Sequence, residues 1–333
     1  METKLHAKDV AALLSRACHR DGGSYRDFSS NKPQFEAPGR LPASQVSVEA
    51  ANNNVPGVPG RAGTYPDQRT LSLDRLLAGI QSRKSQPANA ATKIAVFSLA
   101  GGVGKTTLAT ALGRLLSGRM HQVVLANCDS NFGLQHLRGS YSQTVGAFTF
   151  VHAPEHTAAF PMALIEAGEY ATADERESAL KMIRDSSLQA DTMLLDLPAN
   201  RSAHTLECLR TADHILIPLS PDMHSAVTLG WLEELMKRER ATGAGRSVHY
   251  IINRYDGTRS VHRDMRDRLQ STLGKSLLPF AIREEQQVQD AMRSGLTVID
   301  YAPQSGVVVD LKALGKWVEQ LLPQLEFARG MTA

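Results

Sequence analysis

Ile94-Ala-Val-Phe-Ser-Leu-Ala-Gly-Gly-Val-Gly-Lys-Thr-Thr107 decides the fold. The β-branched and aromatic run over 93–98 reads as a buried parallel strand, and residues 105–116 carry the apolar spacing of a helix. Between them, Gly101, Gly102 and Gly104 let the backbone curl so that several N–H groups, Val103's included, converge on one point. The helix that follows adds its partial positive charge at the same place. Lys105 can set an ammonium on outer phosphates, and the hydroxyl of Thr106, followed by Thr107, can ligate Mg²⁺. The stretch therefore reads as a phosphate cradle. It departs from the general G-x-x-x-x-G-K-[ST] pattern at one place, where Leu99 stands for the first glycine.

Composition sets the bounds. With 333 residues, 42% of them hydrophobic, the chain can bury one large α/β domain and carry appendages. A net charge of +3 points neither toward nor away from nucleic acid. Cys18, Cys128 and Cys208 show no CxxC spacing, which fits a reducing compartment and supplies no zinc or iron–sulfur framework. Met1-Glu-Thr-Lys-Leu-His lacks the apolar segment of a signal peptide, and no run approaches a membrane span. The expectation is a cytoplasmic protein.

Before the cradle the sequence divides in two. Residues 1–30 hold a short helical unit, with Asp9 as its cap, Val10, Leu13, Leu14 and Ala17 on one face, and Gly22-Gly23 after it. It is too short to fold alone and must dock, either on its own chain or on a partner. Residues 31–92 contain six prolines between Pro33 and Pro66 and read as a disordered linker. Within the linker, Leu71, Leu73, Leu76, Leu77 and Ile80 mark an amphipathic helix over 71–84, read as packing on the core domain rather than on a membrane surface.

From 93 to about 325 strand and helix patterns alternate. Strands are expected at 93–98, 122–127, 146–152, 191–197, 214–219 and 248–253. Helices are expected at 105–117, 174–186, 203–211, 225–241, 260–273, 285–294 and 307–322. Apolar strands separated by helices predict an α/β fold with a doubly wound, mostly parallel sheet. Ligands of such sheets lie at the carboxyl ends of the strands.

The other marked residues fall on that edge. Asp129 follows the strand over 122–127, where a carboxylate can hold a water for attack; capping a turn is the alternative. Thr192-Met-Leu-Leu-Asp196 is an apolar strand ending in an acid, suited to a metal-bound water. Asn253, next to Arg254, ends a later strand and could pair with an adenine edge or simply form a turn. His204, His214 and His224 recur at ten-residue intervals on a helix, a strand and a loop, a pattern that makes no metal site. Trp231 and Trp317 read as core or interface residues.

The order of these parts resembles the ParA/MinD family of ATPases with a deviant P-loop. Within it, Ile251-Ile-Asn-Arg-Tyr-Asp256, Val261-His-Arg-Asp264, Leu278-Pro279, Ile282-Arg283, Ser294-Gly295 and Val298-Ile-Asp-Tyr-Ala-Pro303 resemble the BcsQ branch, the accessory proteins of bacterial cellulose synthesis. Asp9-Val-Ala-Ala-Leu with Tyr25-Arg-Asp-Phe28 resembles the small partner peptide of that system. The resemblance implies a homodimer that sandwiches ATP with Mg²⁺ near the inner membrane, in contact with cellulose synthase components and with no specific nucleic acid. It assigns Lys105 to phosphate, Thr106 and Asp196 to the metal, Asp129 to the attacking water and Asn253 to the base.

Two departures bear on hydrolysis. The family's signature cation, just before the two glycines, is Ala100 here, and the first aspartate of its strand-end pair is Asn127. Cations acting in trans on a transferring phosphoryl group supply factors of about 10³–10⁵, so slow turnover is expected unless Arg201 substitutes. The leading expectation is an assembly factor for cellulose synthesis. The alternative is an ATPase that positions DNA or the division site, against which stand the modest charge and the absence of a DNA-reading motif.

Overall fold

The structure is a computed structural model and describes residues 91–322, except 120, most of 130–141, 146–147, 155–161, 169–172, 185–189 and 242–245. The expected segment 1–30, the linker with its helix over 71–84, and the tail beyond 322 lie outside the described residues.

Among the described residues, nine strands form one sheet: β1 (Thr92–Val96), β2 (Val123–Asn127), β3 (Ser142–Val145), β4 (Phe148–Val151), β5 (Met162–Glu166), β6 (Thr192–Asp196), β7 (His214–Leu219), β8 (Ser247–Tyr255) and β9 (Leu277–Arg283). Their order across the sheet is β3-β4-β5-β2-β6-β1-β7-β8-β9. Pairing is parallel from β5 through β9, while β3–β4 and β4–β5 are antiparallel. The helices are α1 (Lys105–Ser117), α2 (Ala173–Arg184), α3 (Ala203–Thr211), α4 (Met223–Ala241), α5 (Ser260–Leu273), α6 (Gln287–Arg293), α7 (Val298–Tyr301) and α8 (Gly306–Glu319).

Period-two alternation sends side chains of each interior strand to two separate cores. Ile94 and Val96 join Leu108 and Leu112 of α1 and Val308 and Leu311 of α8 on one face. Ala95 and Phe97 join Leu209 of α3, Leu232 and Met236 of α4, and Met265 and Leu269 of α5 on the other. Helices cover both faces, so the sheet is doubly wound and mostly parallel, as the sequence predicts. Gly113 lets α1 lie close to the sheet: a Cβ there would come within 2.9 Å of the Met162 sulfur.

Four expectations change. The strand expected over 146–152 is β4, and β3, which lies before it and is absent from the sequence reading, pairs with it antiparallel. β5 is absent from the sequence reading because a five-residue apolar run carries little periodicity. β9 is not legible as a strand because Pro279 interrupts it; the strand lies at the sheet's edge, where a missing N–H costs no ladder bond on the open side. Trp231 is not a core residue, since 60% of it is exposed. Trp317 is half-buried and packs edge-on against His249, 4.7 Å between ring centroids.

An internal ion pair ties this scaffold together. Arg114 of α1 donates to Asp300 of α7 at 2.8 Å with both side chains at most 5% exposed, and also to the His152 carbonyl at 2.8 Å. No helix among the described residues is long and apolar enough to cross a membrane.

Candidate functional site

β1 ends at Val96, and the chain then loops into α1 through Gly104, which caps the helix in the left-handed conformation at φ 87°. Gly102 is also left-handed, at φ 72°. These are the two positions where the loop's curl depends on glycine. A Cβ on Gly101 or Gly102 would meet nothing within 4 Å, so the loop's outer side is open. Among the described residues no side chain caps α1, and the N–H groups of a helix's first turn have no intrahelical partner. Its N-terminus therefore offers donors and a positive end of the helix dipole to an anion.

Thr106 sits in the first turn and donates its hydroxyl to Asp196 Oδ2 at 2.7 Å. Asp196 ends β6, the strand between β1 and β2. It is fully buried, and its second oxygen, Oδ1, has no hydrogen-bond partner among the described residues. Burial pushes its carboxyl up to about 7, although the Thr106 hydrogen bond and the Lys105 charge pull the other way. Lys105, 8% exposed, is shifted below its ordinary value, chiefly by burial; Asp196 and then Asp129 act against that shift. The charges of Lys105, Asp196 and Asp129 are thus felt mutually at one rim of the sheet.

The neighbouring strand end is unusual. Asn127, 3% exposed and paired in register with Asp196, donates its amide to Glu166 Oε2 at 2.7 Å. That bond fixes the amide's orientation and leaves its oxygen buried with no partner among the described residues. Glu166 was missed from sequence. Its one signal was an acid ending an apolar run, on a strand too short to be recognised.

Asn253 and Arg254 come from β8 and hold the loop from the side. Asn253 donates its side-chain amide to the Val103 carbonyl at 2.8 Å, and its nitrogen would lie 2.3 Å from a Cβ on Gly104. The donor that the sequence offers to a base edge is engaged with the loop here. Arg254, the one described non-glycine residue with positive φ (57°), donates to the Gly102 carbonyl at 3.2 Å and to Glu284 at 2.6 Å.

The structure thus brings Gly101, Gly102, Val103, Gly104, Lys105, Thr106, Thr107, Asp129, Asp196, Asn253 and Arg254 to one edge. Ala100 is fully buried under the loop. Arg201 is exposed on the segment between β6 and α3, where Asn200 accepts from Ser202 and Thr205 to order the helix start. The three histidines are dispersed: His204 meets the Ala167 carbonyl, His214 meets Ser247 at the opposite edge, and His224 lies exposed on α4.

A parallel sheet whose interior strand passes through a glycine loop into a buried helix opened by Lys-Thr, with an acid on the adjacent strand, defines a P-loop nucleotide-binding domain. Residues 94–298 match the family described as the CobQ/CobB/MinD/ParA nucleotide binding domain. The chain belongs to that family.

It is 25% identical over 224 residues to the chromosome-partitioning ATPase Soj of Thermus thermophilus, covering 64% of this chain and 89% of Soj. Its fold is similar to that of the septum site-determining protein MinD of Pyrococcus horikoshii, solved with Mg-ADP. The TM-score is 0.52 at 18% identity, covering 69% of this chain and 97% of that one. It is similar also to a Cyanothece McdA variant in complex with ATP, at a TM-score of 0.53 and 18% identity, covering 69% and 97% of the two chains.

Proposed function

We propose that this chain binds ATP with Mg²⁺ at the loop rim and acts as a nucleotide-governed, dimerising assembly factor. One observation carries the reading: the Thr106–Asp196 hydrogen bond at the mouth of the loop, with Asp196 Oδ1 buried and unpartnered beside it. A hard cation takes oxygen ligands, and this donor set fits Mg²⁺. Thr106 and Asp196 would hold the ion, Asp196 through a bound water. When bound, Mg²⁺ neutralises phosphate charge. Lys105 and the N–H groups of the loop bind the phosphates, and Asp129 orients a water toward the outermost one. With Ala100 in the place of a signature cation, turnover is slow, and Arg201 is the residue positioned by sequence to compensate.

The finer reading is service to cellulose synthesis at the inner membrane, alongside synthase components, from the cytoplasm. It rests on the stretches 251–256, 261–264 and 294–303. The second reading, positioning of DNA or of the division site, draws on the similarity to Soj and MinD. Deleting the gene and complementing with wild-type or Lys105→Ala protein separates the two. The first predicts cellulose output lost on deletion and not restored by Lys105→Ala. Normal cellulose together with misplaced nucleoids or septa would replace it with the second.

A further inference from the structure

Helix α4 buries Leu229, Leu232 and Met236 in the core, yet Met223, Val227 and Trp231 are 39%, 46% and 60% exposed. Spaced by four, these three form one line along the outer face of the helix. A contiguous apolar line on a domain surface marks a candidate interaction site.

We infer that residues 71–84 of the same chain dock on this stripe. Leu73, Leu76, Leu77 and Ile80 recur at helical spacing over a span matching that of Met223 to Trp231. A helix of that length is marginal in water unless its apolar face is buried.

The connection is long enough to reach the site. Ile94 of β1 pairs with His214 of β7, and His214 pairs with Ser247 of β8, so the entry of β1 and the end of α4 share one edge of the sheet. Trp231 lies ten residues before Ala241, about 15 Å along the helix. The seven links from Lys84 to Ala91 reach at most ~25 Å. That length suits a segment parallel to α4, with Ile80 against Trp231, Leu76 and Leu77 against Val227, and Leu73 against Met223. Arg83 and Lys84 then fall near Glu234, which Arg238 already engages at 3.1 Å, so packing rather than charge sets this register.

The full chain tests this directly, because Trp231 and Trp317 are its two tryptophans. In a Trp317→Phe background, Trp231 should emit as a shielded indole and resist acrylamide. Adding Leu73→Lys, Leu77→Lys and Ile80→Lys should raise quenching several-fold at every protein concentration, with the melting of the core domain unchanged. Reciprocally, Trp231→Lys should abolish hydrogen-exchange protection over 71–84. Equal quenching with and without the lysines overturns the proposal. Shielding that survives the lysines, or that grows with protein concentration as for a second copy, also overturns it.

Discussion

Thr106 and Asp196, 90 residues apart in the chain, meet at 2.7 Å across the mouth of the glycine loop. The bond couples the start of α1 to the end of β6. It satisfies one carboxylate oxygen and leaves the other buried without a partner among the described residues. Such an atom calls for a partner, and an ion or water at the loop mouth would supply it.

That arrangement has a cost that pH should reveal. Asp196 titrates near 7 in the folded protein, chiefly through burial, against about 3.9 unfolded. The native state therefore binds more protons than the unfolded state between those values, and stability falls as pH rises through the window. A shift of about three units at ~1.4 kcal/mol each sets a ceiling of ~4 kcal/mol. Asp196→Asn should be more stable than wild type at pH 8 in metal-free buffer, with the gap closing toward pH 4, by urea denaturation. A constant gap across pH would contradict the assignment.

Gly104→Ala should damage the cradle twice. Its φ of 87° strains any side chain, and the new Cβ would lie 2.3 Å from the Asn253 amide nitrogen. Strain of this kind costs about 1–3 kcal/mol, and nucleotide affinity should fall at least tenfold. Adding Asn253→Ala removes the clash but not the backbone strain, so titration should show partial recovery at most.

Asn127→Asp, which restores an acid at the strand end, should destabilise the ligand-free protein. The amide now donates to Glu166 at 2.7 Å, and a carboxylate there would lose the bond and repel its partner. The expected loss is about 1–3 kcal/mol, recovered on adding Glu166→Gln. Thermal melts of the four proteins complete the cycle.

Asp300→Ala should strand Arg114 as a buried, uncompensated cation, since both side chains are at most 5% exposed. A loss of about 3–5 kcal/mol is expected. Arg114→Met with Asp300→Leu should recover much of it in equilibrium unfolding, the pair tying α1 to α7 without touching the loop.

Most of this architecture is legible in the residues themselves. The cradle, Asp196 at a strand end and the alternation of apolar runs with helical patterns are local features, and local features survive in one dimension. What stays hidden depends on partners distant in the chain. β9 carries a proline that only an edge position tolerates, and β5 is five residues long. Glu166 matters through Asn127 on the neighbouring strand, a pairing no spacing announces. Asn253 reads as a base-pairing or turn residue, while the fold sets its amide against Val103. The exposure of Trp231 is likewise invisible, because helical periodicity marks a residue's angle and not what lies opposite.

Calorimetry of the folded full chain with ATP and MgCl₂, beside Lys105→Ala, tests the central claim most directly. Saturable heat should appear for wild type and vanish for Lys105→Ala, whose fold should be unchanged by circular dichroism. Absence of heat from well-folded wild-type protein, or equal binding by both, would contradict the account.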